Sequence, residues 1–464
     1  MAMNMEGLIA PMVATQKSGT NQTLQWRLRQ LNSLLLMINE RQEDFVDALH
    51  QDLGKERTEC MYSEINLVKN EIKQFQRELK GWMKPTPSRY PCAIVPSVCK
   101  VHSFPLSGPG CLILAPFNYP FCLSLLAVVG AFGGGNPCIL KPSELCPSVS
   151  ALFAKLVPKY FEKGAFQVVE GGAEETTMLM AQHWGLVHFT GSERVGRIIQ
   201  SLAAKTLSPT LLELGGKSPT IIAEDCPDNM TVVCNRVMAG KLMNCGQTCI
   251  APDFVLCHRS KVTSFCKEAA ASIDRLFGKD QTHSSSELPR IVQQIHAQRH
   301  IELIEEIENT NAEKIIYGGS KMCDVKTKFI APTLVLDPSK ESRLMKEEIF
   351  GPILPIVIYD SDDEAIDFIN DMRGTPLALY IFTKSQQRYD HLMSRIPSGS
   401  IMRNETILQF IVPDFPFGGL WTSGIGNYKG KASFDAFTHK RPSLYHPCHS
   451  AFEHGGLRYV LFVV

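Results

Sequence analysis

The run Asn244-Cys245-Gly246-Gln247-Thr248-Cys249-Ile250-Ala251-Pro252 places two thiols around a Gly-Gln-Thr bend. A helix-like run precedes the bend and a strand-like run, Phe254 to Cys257, follows it. A cysteine at such a junction can face a cleft while both flanking elements fix its backbone, which suits a nucleophile. The same pair also reads as two buried small hydrophobes. Cys245, Cys249, Cys257 and His258 match no common zinc knuckle. No histidine stands in a recognisable partner motif for a cysteine hydrolase.

Further reactive groups sit where strands end. Glu213, in Leu212-Glu213-Leu214-Gly215-Gly216-Lys217, lies in an apolar strand before paired glycines. Burial would raise its pKa and make it a general base; a structural ion pair or the exposed face of an edge strand are the other readings. Asn118, in Ala115-Pro116-Phe117-Asn118-Tyr119-Pro120, stands between a strand and a helix, where its amide can donate to an oxyanion or cap the helix. Lys141 and Glu144, in Leu140-Lys141-Pro142-Ser143-Glu144, follow a strand where a doubly wound sheet holds its ligand. They can reach phosphate or ribose oxygens, or form a solvated pair. Gly191, Ser192 and Gly196 belong to Phe189-Thr190-Gly191-Ser192-Glu193-Arg194-Val195-Gly196, a strand-to-helix turn. Its free N–H groups can hold a pyrophosphate, or its glycines serve only turning and packing. Glu348 and Phe350, in Glu348-Ile349-Phe350-Gly351-Pro352, set a carboxylate beside a ring, able to grip a ribose and a flat heterocycle or to be core and turn.

The elements that must position these groups alternate. Apolar residues recur at helical spacing from Leu24 to Leu49, and Ser63 to Trp82 forms a second helical stretch before Lys84-Pro85-Thr86-Pro87. Ala93 to Phe104 has β composition broken by Pro96, which predicts an edge or a protruding hairpin. Strand-like runs at 110–114, 137–140, 166–169 and 186–190 then alternate with helical runs at 119–132, 147–161 and 174–183, with a turn at Gly133 to Asn136. This rhythm predicts βαβ units and a parallel, doubly wound sheet, a nucleotide-type α/β domain. Beyond Gly215-Gly216 the pattern resumes (strands 220–223 and 254–257, helices 230–243 and 262–277, a polar loop at Thr282 to Ser286), predicting a second α/β domain. Met1 to Ser18 lacks a basic signal-type start and reads as a flexible lead-in.

Composition bounds the function. A chain of 464 residues exceeds what one core usually serves. Lys plus Arg and Asp plus Glu both total 47, without a long block of one sign, which gives no support to a nucleic-acid or polybasic membrane role. The 15 cysteines are scattered, odd in number and without framework spacing, as in a reducing, cytosol-like compartment. The apolar end Tyr459 to Val464 is far short of the roughly 20 residues that span a bilayer.

Taken in order, P-F-N-Y-P, K-P-S-E, F-T-G-S-x-x-V-G, L-E-L-G-G-K-S-P, N-C-G-Q-T-C-I-A-P-D, E-E-I-F-G-P and P-F-G-G-x-x-x-S-G-x-G-x-Y-x-G-K resemble the aldehyde dehydrogenase superfamily, in particular its class 3 branch. The likeness runs from about Gln25 to Phe437. It implies an enzyme using NAD or NADP to oxidise an aldehyde to a carboxylic acid through a thioester. It implies Cys249 as nucleophile, Asn118 with the Cys249 N–H as oxyanion donors, and Glu213 as the base for the hydrolytic water. Lys141 would contact the adenosine ribose, with Glu144 in the same segment; Ser192, between Gly191 and Gly196, would face the pyrophosphate, and Glu348 with Phe350 the nicotinamide end. The implied fold is two doubly wound α/β domains, a Rossmann-like cofactor domain (1–88 and 105–214) and a catalytic domain (215–420). A small β oligomerisation flap and tail (89–104 and 421–464) completes it. A cytoplasmic homodimer acting on apolar, aromatic or medium to long chain aldehydes is expected, with peripheral membrane contact open and no spanning segment. A non-catalytic binding or structural protein retaining the fold is the alternative. Phe117, Lys429, Trp421 and the segment Arg403 to Val412 depart from the class 3 pattern, and the resemblance places them near the substrate entrance.

Overall fold

A computed structural model describes residues 4–89, 97–278 and 287–449. The polar loop expected at Thr282 to Ser286, the start of the Ala93 to Phe104 stretch and the apolar end from Tyr459 lie outside the described residues. No described helix is long and apolar enough to cross a membrane.

Three sheets organise the chain. In the six-stranded sheet the order is Gly424–Ile425, Thr210–Glu213, Leu186–Thr190, Cys111–Leu114, Cys138–Lys141 and Phe166–Val168. All its neighbours run parallel except Gly424–Ile425, which pairs antiparallel with Thr210–Glu213. The central strands are buried on both faces, which is why they read as continuous apolar runs and not as alternation. One cover is the helix Cys122–Gly134, buried at every position.

The seven-stranded sheet runs Ile315–Tyr317, Thr333–Leu336, Ile353–Tyr359, Phe254–His258, Pro219–Ile222, Ala378–Phe382 and Ser400–Arg403, parallel apart from its first strand. A three-stranded antiparallel sheet joins Thr86–Pro87, Val98–Pro105 and Thr438–Tyr445. The segment after Trp421 is therefore divided, in contrast to the flap expected over 421–464. Gly424–Ile425 extends the six-stranded sheet, Gly430–Ala436 packs on Cys122–Gly134, and among the described residues only Thr438–Tyr445 joins the small sheet.

The flexible lead-in expected over Met1 to Ser18 is instead a helix, Met5–Ser18. Asn4 caps it, its side chain accepting from the Gly7 N–H at 2.9 Å, and Gly19 closes it in the left-handed conformation. Met12 is fully buried with Leu112, Leu114 and Ile139, and the Gln167 amide donates to the Leu8 carbonyl at 2.6 Å. Weak helical amphipathicity hid this element; its partner is a surface formed by strands far away in sequence.

Candidate active site

The bend at 244–249 is held in an unusual backbone state. Asn244, Cys245 and Gly246 all have positive φ, of 53°, 54° and 76°. A Cβ on Gly246 would run into the Gly351 carbonyl oxygen, so only glycine fits. Asn244 Nδ2 donates to the carbonyls of Asn118 (2.6 Å) and Gln247 (3.1 Å). Gln247 donates to the Asn244 and Arg290 carbonyls and accepts from the Val292 N–H. These bonds over-determine a strained turn and fix where the next thiol stands.

The two cysteines have different surroundings. Cys245 is fully buried in the main core. Cys249 is half-buried and lines two clefts. Burial, then the nearby Glu348 and Glu213 carboxyls, push its thiol well above the ordinary cysteine value.

The larger cleft, about 740 Å³, opens at the carboxyl ends of the six-stranded sheet. Asn118, Lys141, Glu144, Gly191, Ser192, Glu213, Glu348 and Phe350 all line it. Lys141 Nζ donates to Glu144 Oε2 at 3.0 Å and to the Gly171 carbonyl at 2.7 Å, the carboxylate half exposed. Ser192 caps the helix Glu193–Thr206, whose first turn lines the cleft through Arg194 and Val195. Gly196 does not line it; a Cβ there would strike Leu214, so this glycine serves helix-on-strand packing. Glu348 accepts from the Gly216 N–H at 3.1 Å, and burial raises its pKa to about 8. Phe350 meets Phe117 edge-on at 5.8 Å, and Phe117 stacks on His296. A cation, a helix N-terminus and an aromatic slot in one elongated cleft fit a dinucleotide.

The second cleft is narrow and apolar, about 60 Å³ by the same measure. Tyr62, Leu67, Leu123, Ile407, Leu408, Phe410, Ile411 and Phe417 are among its walls. Thr190, Glu213 and Cys249 line both clefts. Among the described residues neither oxygen of the buried Glu213 carboxyl has a hydrogen-bond partner, and neither do Thr190 Oγ1 or Tyr428 Oη. Burial alone raises the Glu213 pKa well above the usual carboxyl range. Glu213 is thus neither in an ion pair nor on an exposed face. Asn118 is buried too, its Nδ2 donating to the Gln247 carbonyl at 3.0 Å and leaving its second amide hydrogen free.

Sequence reasoning missed the supports. Lys55 and Glu64, both fully buried, pair at 2.5 Å. Lys55 Nζ also donates to the Asn118 carbonyl, and Glu59 accepts from the Asn244 N–H at 2.8 Å. A π-helical turn, Met61–Ile65, presents Tyr62 and Ser63 to the apolar cleft. Tyr119 Oη lies 2.6 Å from Thr248 Oγ1. A charged pair nine residues apart, Lys55 in the connection after the helix Gln42–Leu53 and Glu64 in the π-helical turn, looks like surface in sequence; only its burial reveals it.

The departing residues do not share one place. Phe117 lines the larger cleft and Leu408, Phe410 and Ile411 the apolar one. Lys429 is buried behind that segment, while Trp421 is 83% exposed and lines neither cleft.

The sequence model of the aldehyde dehydrogenase family matches residues 2–442. Aldehyde dehydrogenase family 3 member A2 of Pongo abelii is 39% identical over 427 residues, 92% of this chain and 85% of that protein. An aldehyde dehydrogenase of Canis lupus familiaris described as dimeric and NADP-preferring is 37% identical over 434 residues, 94% of this chain and 93% of that one. A solved structure titled as the substrate-bound state of Staphylococcus aureus AldH superposes with a TM-score of 0.90 at 35% identity, covering 96% of this chain and 95% of its own.

Proposed function

Because the chain belongs to the aldehyde dehydrogenase family, in its class 3 branch, and is an aldehyde dehydrogenase, we propose that it oxidises apolar, aromatic or medium to long chain aldehydes through Cys249. NAD and NADP are its cofactors. One observation supports the reading above all: Thr190, Glu213 and Cys249 line both the larger and the apolar cleft. A group held in one cleft therefore meets a group held in the other at the thiol.

Cys249 Sγ, once ionised, adds to the aldehyde carbon. The oxygen gains a negative charge, which the free Asn118 amide hydrogen and the Cys249 N–H stabilise by donating hydrogen bonds to it. The bonds from Lys55 and Asn244 to the Asn118 carbonyl hold that donor in place. When bound, the nicotinamide supplies the acceptor for the hydride that leaves the adduct. The acyl group remains on Sγ as a thioester. Glu213 then takes a proton from a water, the water oxygen attacks the acyl carbon, and the thiol leaves as the carboxylic acid forms. Unpaired oxygens on Glu213, Thr190 and Tyr428 supply the hydrogen bonds such a water needs.

Lys141 and Glu144 would hold the adenosine ribose, Gly191 and Ser192 the pyrophosphate, and Glu348 and Phe350 the nicotinamide end. Gly196 supports that surface by letting its helix approach Leu214. In this reading 1–88 and 105–214 form the cofactor domain, and 215–420 the catalytic one.

The test is formation of reduced nicotinamide from a linear alkanal by wild type and Cys249→Ala. The variant is expected to lose at least about 10³-fold in rate. Equal rates would remove Cys249 from the chemistry.

A further inference from the structure

We propose that Lys429 is a specificity-determining residue: its buried ammonium clamps the segment 408–412 and so sets the bore of the apolar cleft. The proposal rests on reading that cleft as the substrate's. The wall itself has little intrinsic order. Asn404 and Ile407 carry positive φ, of 57° and 54°, and Leu408–Ile411 is a single short 3₁₀ turn. Its ends are tied, by Thr406 Oγ1 to the Arg236 carbonyl at 2.7 Å and by Gln74 to Asp414 at 2.7 Å. Its middle is held by Lys429, whose Nζ donates to the Phe410 carbonyl and, at 3.3 Å, to the Val412 carbonyl.

The geometry is built for this role. Lys429 is only 5% exposed and has a φ of 79°, a conformation costly for a residue with a Cβ. Its N–H donates to Ser433 Oγ at 2.7 Å, and the next N–H, of Gly430, donates to Glu71 at 2.6 Å. The ammonium lies 4.6 Å from the centre of the Phe410 ring, which packs edge-on against Phe417 at 4.9 Å. Phe410 and Phe417 are both walls of the apolar cleft. One side chain thus fixes the backbone and the ring of the same wall residue. A buried cation donating to loop carbonyls is retained only where its bonds repay desolvation. Lys429 touches neither Cys249, Glu213 nor Asn118, so it acts through Phe410 as a positioning residue.

The experiment compares wild type with Lys429→Met, which keeps length and apolar bulk but removes the donors. Two aldehydes are used, linear octanal and the bulkier cyclohexanecarbaldehyde, with saturating cofactor. Chymotryptic cleavage within 404–416 is followed in parallel. The clamp predicts faster cleavage and a shift of about tenfold in the kcat/KM ratio toward the bulky aldehyde. That shift should appear in KM, with kcat for octanal unchanged. An unchanged ratio with unchanged cleavage overturns the proposal, as does an equal loss of kcat on both aldehydes. If the Met variant does not fold, Lys429→Gln, which keeps two uncharged N–H donors on a shorter side chain, should give a smaller shift in the same direction; no shift overturns the proposal. If wild type oxidises neither aldehyde, the assigned function fails, and the cleavage comparison still decides the clamp.

Discussion

At Glu213 the chemistry and the stability of the protein pull in opposite directions. Its carboxyl is buried without a partner among the described residues, so the folded state favours the protonated form. The folded pKa lies above the unfolded value, hence stability is full below an unfolded pKa of about 4.3 and declines as pH rises past it. Glu213→Gln should therefore melt higher than wild type at pH 8, by about 2 °C, with the difference shrinking toward pH 4 in thermal scans. The same variant should keep a first-turnover burst of reduced nicotinamide while steady-state turnover drops about 10²- to 10⁴-fold. A lost burst would place Glu213 before the thioester. Both Cys249 and Glu213 are pushed up by burial, and both must lose a proton. Wild-type kcat/KM, which reads Cys249, and kcat, which reads Glu213 where thioester hydrolysis limits turnover, should both rise with pH above neutrality, and flat profiles from pH 6 to 9 would contradict the assigned roles.

Two elements bear on the thiol and on the fold respectively. The bend of Asn244, Cys245 and Gly246 spends backbone strain to aim Cys249, and it tolerates no side chain at its third position. Gly246→Ala is expected to destabilise by about 2 kcal/mol or more and to abolish turnover, read by denaturant melts and assay. The helix Met5–Ser18 lines neither cleft and completes a core beside the six-stranded sheet. Met12→Ala should cost about 2–4 kcal/mol while leaving KM at 20 °C near wild type. Together these separate loss of fold from loss of site.

Across the whole molecule, one apolar surface is left uncovered by the described residues. Thr438–Tyr445 is exposed at every position after the first, and Val98, Val101, Leu444 and Tyr445 present apolar side chains on the small sheet. A homodimer using this sheet is the expected assembly. Sedimentation should show a dimer for wild type and a monomer for Leu444→Asp; a monomeric wild type would refute it.

The seven motifs determined the family jointly, because each alone also fits a turn, a cap or a packing role and only their ordered combination is specific. The alternation of apolar runs with helical spacing also determined two parallel sheets, since burial on both faces leaves a local signature. Other matters depended on groups brought together across the chain. The fate of Met5–Ser18 rested on its distant partner strands, and the division of the segment after Trp421 rested on which sheet edge was free. The resemblance already implied Cys249 as the nucleophile; tertiary structure added the physical difference from Cys245, because exposure to two clefts is a property of surrounding walls and not of spacing. It alone revealed the buried Lys55–Glu64 pair and the hold of Lys429 on Phe410, because the energy of a charge is set by what surrounds it, and sequence does not record its distant neighbours.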